Sequence, residues 1–221
     1  PAAIRADSPF HFSPAGLREY AQGDPLNRIH WKMSAKNDEL LSRSEENAVD
    51  KRVMIVLDAQ ANTELRYQLP LFETAAQVAA SLLEYARQKR YSTGFVCNSR
   101  EELYFPADGR MDLHKCQNAL AGVRCDGKIS LPELLSRRPI PDGTAAVFVT
   151  SHVDEHWLRM VYQLRARRFP VSMILVYGTA DLDWHQRQIK HQMQGMGCVF
   201  YTVPHTKWRT EEKGVSEYAG A

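Results

Sequence analysis

At 221 residues the chain is long enough for one large domain with a small appended element. Its 44% hydrophobic and 24% charged content is ordinary for a soluble globular protein, and 28 Lys and Arg against 26 Asp and Glu leave a net charge of +2. That balance gives no electrostatic case for nucleic acid, and no run approaches the roughly 18 to 20 apolar residues that cross a bilayer or forms the core of a signal peptide.

Residues 1–16 are rich in Pro, Ala and Ser without periodicity and read as an extended lead-in. The chain starts at Pro1 rather than Met, so we expect a fragment or processed product with further sequence upstream. Next comes LREYAQGDPLNRIHWKMSAKNDELLSR, residues 17–43, dense in charged and aromatic side chains. Asp24-Pro25 signals a helix start, because the acid can cap and Pro suits the first helical position. Leu26, Ile29 and Trp31 supply apolar anchors, Gly23 allows a tight backbone approach, and Arg18 and Arg28 have Glu19 and Asp24 within reach. The materials are those of a structural clip, with a partner-binding surface as the alternative. Residues 39–44 are expected to run extended and pair with the main sheet.

From there the chain alternates. Val53–Leu57 is a continuous apolar run of the kind buried in a parallel sheet, closing on Asp58. Helical spacing of Phe72, Ala76, Ala79, Leu82, Leu83 and Ala86 predicts a helix over 71–90 with a basic last turn. Gly94–Cys97 and Leu103–Phe105 read as a hairpin, then 111–123 and 131–138 as two short helices. Strands follow at 145–151, 171–178 and 198–204, separated by helices at 155–168 and 183–195 that Asp154 and Asp183 would cap. The last residues are polar. The expected organisation is a lead-in and clip over 1–52, an α/β domain over 53–204 and a tail over 205–221. The domain is an open, mostly parallel sheet with helices on both faces, Rossmann-like in topology, with one antiparallel strand at an edge. Ligands of such sheets bind beyond the carboxyl ends of the strands, which points to Asp58 and Ser151.

Motif chemistry is sparse. There is no G-x-G-x-x-G, P-loop, G-x-S-x-G or H-E-x-x-H. The four cysteines, Cys97, Cys116, Cys125 and Cys198, form no CxxC pair and read as buried reduced thiols of a reducing compartment. Asp58 could take Mg²⁺ with nearby oxygen donors, but Gln60 and Asn62 offer amides, and Thr150, Ser151 and Asp154 are the donors after the later strand. A carboxylate hydrogen-bonded to loop amides is the favoured reading. His152 and His156 flank Asp154 at a helix start, where a solvated end is favoured over a weak metal site. An acid–base pair of His30 and Asp24 is the enzymatic alternative. Arg159, Arg165, Arg167 and Arg168 make one helix basic; a solvated face is the default, and docking on an acidic partner or membrane surface the alternative.

The stretch also resembles a bacterial family called domain of unknown function 58. Arg18, Tyr20, Gly23, Asp24, Arg28, Ile29, His30, Trp31, Ser34, Ala35 and Lys36 match its hallmark at fixed spacing. The resemblance spans about residues 14–203, since the following sheet is similar to a von Willebrand factor A-like domain. It implies a non-enzymatic interaction module, the soluble cytoplasmic part of a membrane-anchored protein. It also implies a MoxR-type AAA+ ATPase as partner and, less directly, a transglutaminase-like protein. Von Willebrand A-like domains carry a metal site built on D-x-S-x-S. Of that pattern only Asp58 carries over, with Gln60 and Asn62 in place of the serines and Ser151 near the later Asp; no metal and no cofactor is expected.

Overall fold

The structure, a computed structural model, describes residues 17–19, 34, 41–43, 51–61, 69–108, 111–178 and 181–205. Two short strands come first, β1 (Leu17–Glu19) and β2 (Leu41–Arg43). A six-stranded sheet carries the main body. In chain order its elements are β3 (Arg52–Leu57), α1 (Leu69–Gln88), β4 (Ser92–Cys97), β5 (Leu103–Phe105), α2 (Leu113–Ala121), α3 (Leu131–Arg137), β6 (Thr144–Thr150), α4 (Glu155–Ala166), β7 (Val171–Tyr177), α5 (Trp184–Gly195) and β8 (Val199–Pro204).

The sheet order is β5-β4-β3-β6-β7-β8. Every pairing is parallel except β4 with β5, which is antiparallel and puts β5 at an edge. The predicted hairpin is therefore the sheet's single reversal among the described strands. β3 and β6 are central, so both of their faces must be covered, and their sequences are apolar at consecutive positions for that reason. Val53, Ile55 and Leu57 point to one face, where Phe72, Ala75, Ala79, Leu82, Leu83 and Ala86 of α1 and Cys116 and Leu120 of α2 cover them. Met54 and Val56 point to the other, against Leu131 and Leu134 of α3, Trp157, Met160 and Val161 of α4 and Ile189 and Met193 of α5. Helices lie on both faces, as expected.

Element ends shift by a residue or two, each for a local reason. α1 begins at Leu69, two residues early, because Pro70 fits the first helical turn. It ends at Gln88, and Arg90 takes φ 57°, the left-handed position that usually falls to glycine, while the Tyr91 N–H closes on the Ala86 carbonyl. Its inward face uses Ala75 where the spacing suggests Ala76, which packs at the margin. β4 begins at Ser92 rather than Gly94, and Gly94 is a close-approach site. A Cβ there would sit 2.7 Å from the Ala107 nitrogen and 2.8 Å from the Phe105 carbonyl oxygen. α4 stops at Ala166, ahead of Arg167 and Arg168. Asp154 and Asp183 cap α4 and α5 as expected, and Asp183 forms a reciprocal capping box with Gln186.

One pairing differs from expectation. Leu41–Arg43 does not join the main sheet; it pairs antiparallel with Leu17–Glu19 in a separate two-stranded sheet, Arg18 opposite Ser42. The facing edges of the two segments pair with each other, and the two ends of the 17–43 stretch are drawn together. At the other end of the chain, His205 falls in the stretch that reads as a polar tail. It is buried instead, with its N–H on the Tyr177 carbonyl (2.8 Å) and its ring Nδ1 2.6 Å from Thr74 Oγ1 on α1.

Candidate functional site

The order of strands reverses direction between β3 and β6, because β4 lies on one side of β3 and β6, β7 and β8 on the other. The loops leaving these two strands diverge to opposite faces and leave a crevice at their carboxyl ends. A cleft of about 450 Å³ lies there. Leu131, Pro132, Trp157 and Met160 line its apolar part, and Asp58, Gln60, Ser151, His152 and His156 its polar part. Trp157 is fixed by an edge-to-face contact with Phe148 of β6, ring centres 5.7 Å apart.

Three neighbouring strands each end on a polar residue: Asp58 after β3, Asn98 after β4 and Thr150 closing β6. Asp58 lines the cleft, and the buried Asn98 and Thr150 both hydrogen-bond to it. Asp58 Oδ1 accepts from the Gln60 N–H and from Asn98 Nδ2, both at 3.2 Å, and Oδ2 lies 3.0 Å from Thr150 Oγ1. Asn98 is fully buried and satisfied on both sides, taking the Ala59 N–H at 2.7 Å and donating to the Ile129 carbonyl at 3.0 Å. The loop after β3 is laced to the segment before α3 as well. Gly127 donates to the Ala59 carbonyl and accepts from the Ala61 N–H, both at 2.9 Å, and Cys125 reaches the Gln60 carbonyl. Gly127 has to be glycine, since a Cβ would overlap the Asn98 carbonyl oxygen.

Burial pushes the Asp58 carboxyl above its ordinary value, against the lowering effect of its three hydrogen bonds and of His152. The thiols are likewise pushed up by burial, Cys125 to about 11 and Cys97, Cys116 and Cys198 to about 12. On the β6 side, Asp154 Oδ1 takes the His156 and Trp157 N–H groups, while its Oδ2 faces His156 Nδ1 at 3.3 Å and His152 Nε2 at 3.9 Å. Both imidazoles are exposed.

The described residues do not supply the donors of the divalent-cation site that von Willebrand A-like domains carry. Asp58 Oδ1 already faces two N–H donors, and the Asn98 amide Nδ2 at 3.2 Å stands where a cation would need an oxygen. Gln60 is exposed at the rim, Ser151 lines the cleft, and Asn62 lies outside the described residues. Among the described residues no three His, Cys, Asp or Glu side chains converge on one point.

Of the sequence hallmark, Arg18 lies in β1 and Ser34 is helical and buried. Tyr20, Gly23, Asp24, Arg28, Ile29, His30, Trp31, Ala35 and Lys36 lie outside the described residues. The basic helix is only partly a solvated face. Arg159, Arg167 and Arg168 are exposed, but Arg165 is half-buried and donates to the Met196 carbonyl at 3.1 Å and the Phe169 carbonyl at 3.0 Å, tying α4 to the end of α5. The sequence reading misses Asn98 and Gly127 as parts of the site. Asn98 has a signal, a polar residue directly after the apolar run of β4, the same pattern that singles out Asp58. Gly127 has none, because its role exists only where two distant loops meet.

A family model described as a protein of unknown function, DUF58, matches residues 16–181. The chain belongs to the DUF58 family. The match covers the hallmark and the sheet through β7 and stops short of the 14–203 span expected from the resemblance. One relative, the uncharacterized protein YeaD of Bacillus subtilis strain 168, is 25% identical to this DUF58 chain over 128 residues, 56% of its length. The aligned region spans 30% of YeaD's length. Among solved structures, the VWA domain of SpRpn10 is similar at a TM-score of 0.43 and 10% identity, covering 71% of this chain and 89% of that one.

Proposed function

We propose that this DUF58 chain is a non-enzymatic protein-interaction module that docks its partner at the strand-end cleft. The carrying observation is how the cleft uses its polar groups. Asp58, Asn98, Asp154 and Ser130 each hold backbone N–H groups, as loop clamps or helix caps. What they frame is an apolar floor of Leu131, Pro132, Trp157 and Met160 with exposed Gln60 and His156 at the rim. A rigid apolar centre with a polar rim is the composition of a protein-docking surface.

The resemblance of the hallmark supports a MoxR-type AAA+ ATPase as the partner, with a transglutaminase-like protein as a further associate. It supports placement on the cytoplasmic face of a bacterial membrane, anchored through sequence upstream of Pro1. No helix among the described residues is long and apolar enough to cross a membrane.

The test is binding of a purified MoxR-type ATPase to the full-length protein, with Gln60→Arg and His156→Glu at the cleft rim and Trp31→Ala in the hallmark as comparisons. We expect both rim changes to weaken binding at least about tenfold, some 1.4 kcal/mol, with an unchanged melting temperature. Undiminished binding by both would overturn the cleft as the surface, and no binding by the unaltered protein would overturn the partner. Loss of binding by Trp31→Ala with the fold intact would make the hallmark a second contact face.

A further inference from the structure

Three polar neighbours crowd one hydroxyl at the end of β6. Thr150 Oγ1 lies 3.1 Å from the His152 N–H nitrogen, 2.8 Å from the His152 carbonyl oxygen and 3.0 Å from Asp58 Oδ2. The N–H can only donate, so it takes a lone pair of the hydroxyl. The hydroxyl itself has one proton to give. With Asp58 ionised, both remaining neighbours are acceptors, and one of them must face an oxygen lone pair at hydrogen-bond distance. Thr150 is fully buried, so no water can sit between its hydroxyl and the facing oxygen.

A proton on Asp58 Oδ2 resolves every contact. The acid O–H donates to Thr150 Oγ1, Thr150 donates to the His152 carbonyl, and the His152 N–H donates back to Thr150. Oδ1 goes on accepting from Gln60 and Asn98, which requires no charge. We propose that Asp58 is held as a neutral carboxylic acid whose proton closes the 150–152 turn, and that its ionisation releases this turn, making the His152 wall of the cleft a pH-sensitive latch. The latch lies at the base of the docking cleft but does not depend on which partner docks there.

The surroundings favour the neutral form. Burial raises the carboxyl above its ordinary value and outweighs the hydrogen bonds that act the other way. Among the described residues, the titratable groups facing it are Cys97 at the end of β4, Cys125 on the loop before α3, and His152, Asp154 and His156 on the β6–α4 side. Both thiols are neutral at physiological pH. His152 is the facing group that favours the carboxylate, and its exposed ring leaves that attraction screened by solvent. A neutral acid also offers no charge to a divalent cation, which is a physical reason for the misfit to a metal site.

The sign for stability follows. A folded-state pKa above the unfolded one means the contribution of Asp58 is complete below the ordinary carboxylate range and is lost as pH climbs through the raised value. The direct test is a pH titration of side-chain carboxyl carbons by NMR on the 221-residue protein, with Asp58→Asn assigning the signal. We expect the Asp58 carbon to keep the shift of an acid after the exposed Asp carbons have titrated, and the His152 and Val153 amide signals to move in the same step. The amide introduced by Asp58→Asn keeps a donor facing Thr150 at every pH. The melting temperature of that variant should therefore rise relative to the unaltered protein as pH increases. An Asp58 carbon that titrates together with the exposed Asp residues would overturn the neutral acid. Amide signals that stay fixed while Asp58 titrates would overturn the latch.

Discussion

At the scale of single residues, burial decides more of this protein's chemistry than residue type does. Cys97, Cys116 and Cys198 have almost no contact with solvent, and Cys125 is half-buried beneath the Gln60 carbonyl. With their thiols pushed up to about 11 or 12, hardly any thiolate exists at neutral pH, and the thiolate is the reacting form. We therefore expect none of the four to react with Ellman's reagent at about pH 8 at the rate of free cysteine, and all four to react once the chain is unfolded in guanidinium. Rapid labelling of Cys125 in the folded protein would show an environment unlike the one described. Gly127 is the residue-scale counterpart in the backbone. Adding one methyl drives carbon into the Asn98 carbonyl oxygen, which is itself fixed at the end of β4, so either the loop before α3 or the end of β4 has to move. Gly127→Ala should lower stability by about 3 kcal/mol, read as a shift of the urea midpoint. A midpoint equal to that of the unaltered protein would mean the two loops are not in contact.

Among the elements, α4 shows how a helix is held by more than its apolar stripe. Trp157, Met160 and Val161 bury one face against the sheet. At its end Arg165 reaches across to the carbonyls of Met196 and Phe169, groups that the end of α5 and the turn before β7 leave without helical partners. A guanidinium can hold two carbonyls at once because its donors are fixed in a fork; an ammonium cannot match that geometry. Arg165→Ala should cost about 1–2 kcal/mol in urea unfolding, and Arg165→Lys should recover less than half of it. Full recovery by Lys would reduce the contact to charge alone. The same element shows why the basic composition of the helix misleads. Four arginines between 159 and 168 suggest a charged helix face, yet only Arg159 and Arg165 lie within α4, and Arg165, the one with the most buried contacts, is a tie between helices.

For the whole molecule, the reversal of strand order between β3 and β6 sets the position of the cleft, and the polar residues ending β3, β4 and β6 set its character. Asn98 and Thr150 both hydrogen-bond to Asp58. We expect millimolar Mg²⁺ to leave the melting temperature unchanged at neutral pH; a clear rise that Asp58→Ala abolishes would restore the cation site and overturn the reading of Asp58 as a clamp.

The sequence by itself determined the fold class of this protein. Consecutive apolar residues in Val53–Leu57 and Ala145–Val149 demand strands covered on both faces, and helical spacing between strands supplies the cover, so alternation alone leads to a parallel sheet wrapped by helices. Local capping chemistry is legible too, at Asp154 and Asp183, because a cap acts within three residues. The hallmark of residues 17–43 marks the family without reference to any fold. Only the tertiary structure decided that Asn98 clamps Asp58 from 40 residues away, that Gly127 is wedged against the end of β4, that Leu41–Arg43 pairs with Leu17–Glu19 instead of the main sheet, and that Thr150 comes within hydrogen-bond distance of Asp58. Periodicity and caps are properties of neighbouring residues, whereas these contacts depend on which loops the strand order brings together, and no local pattern carries that.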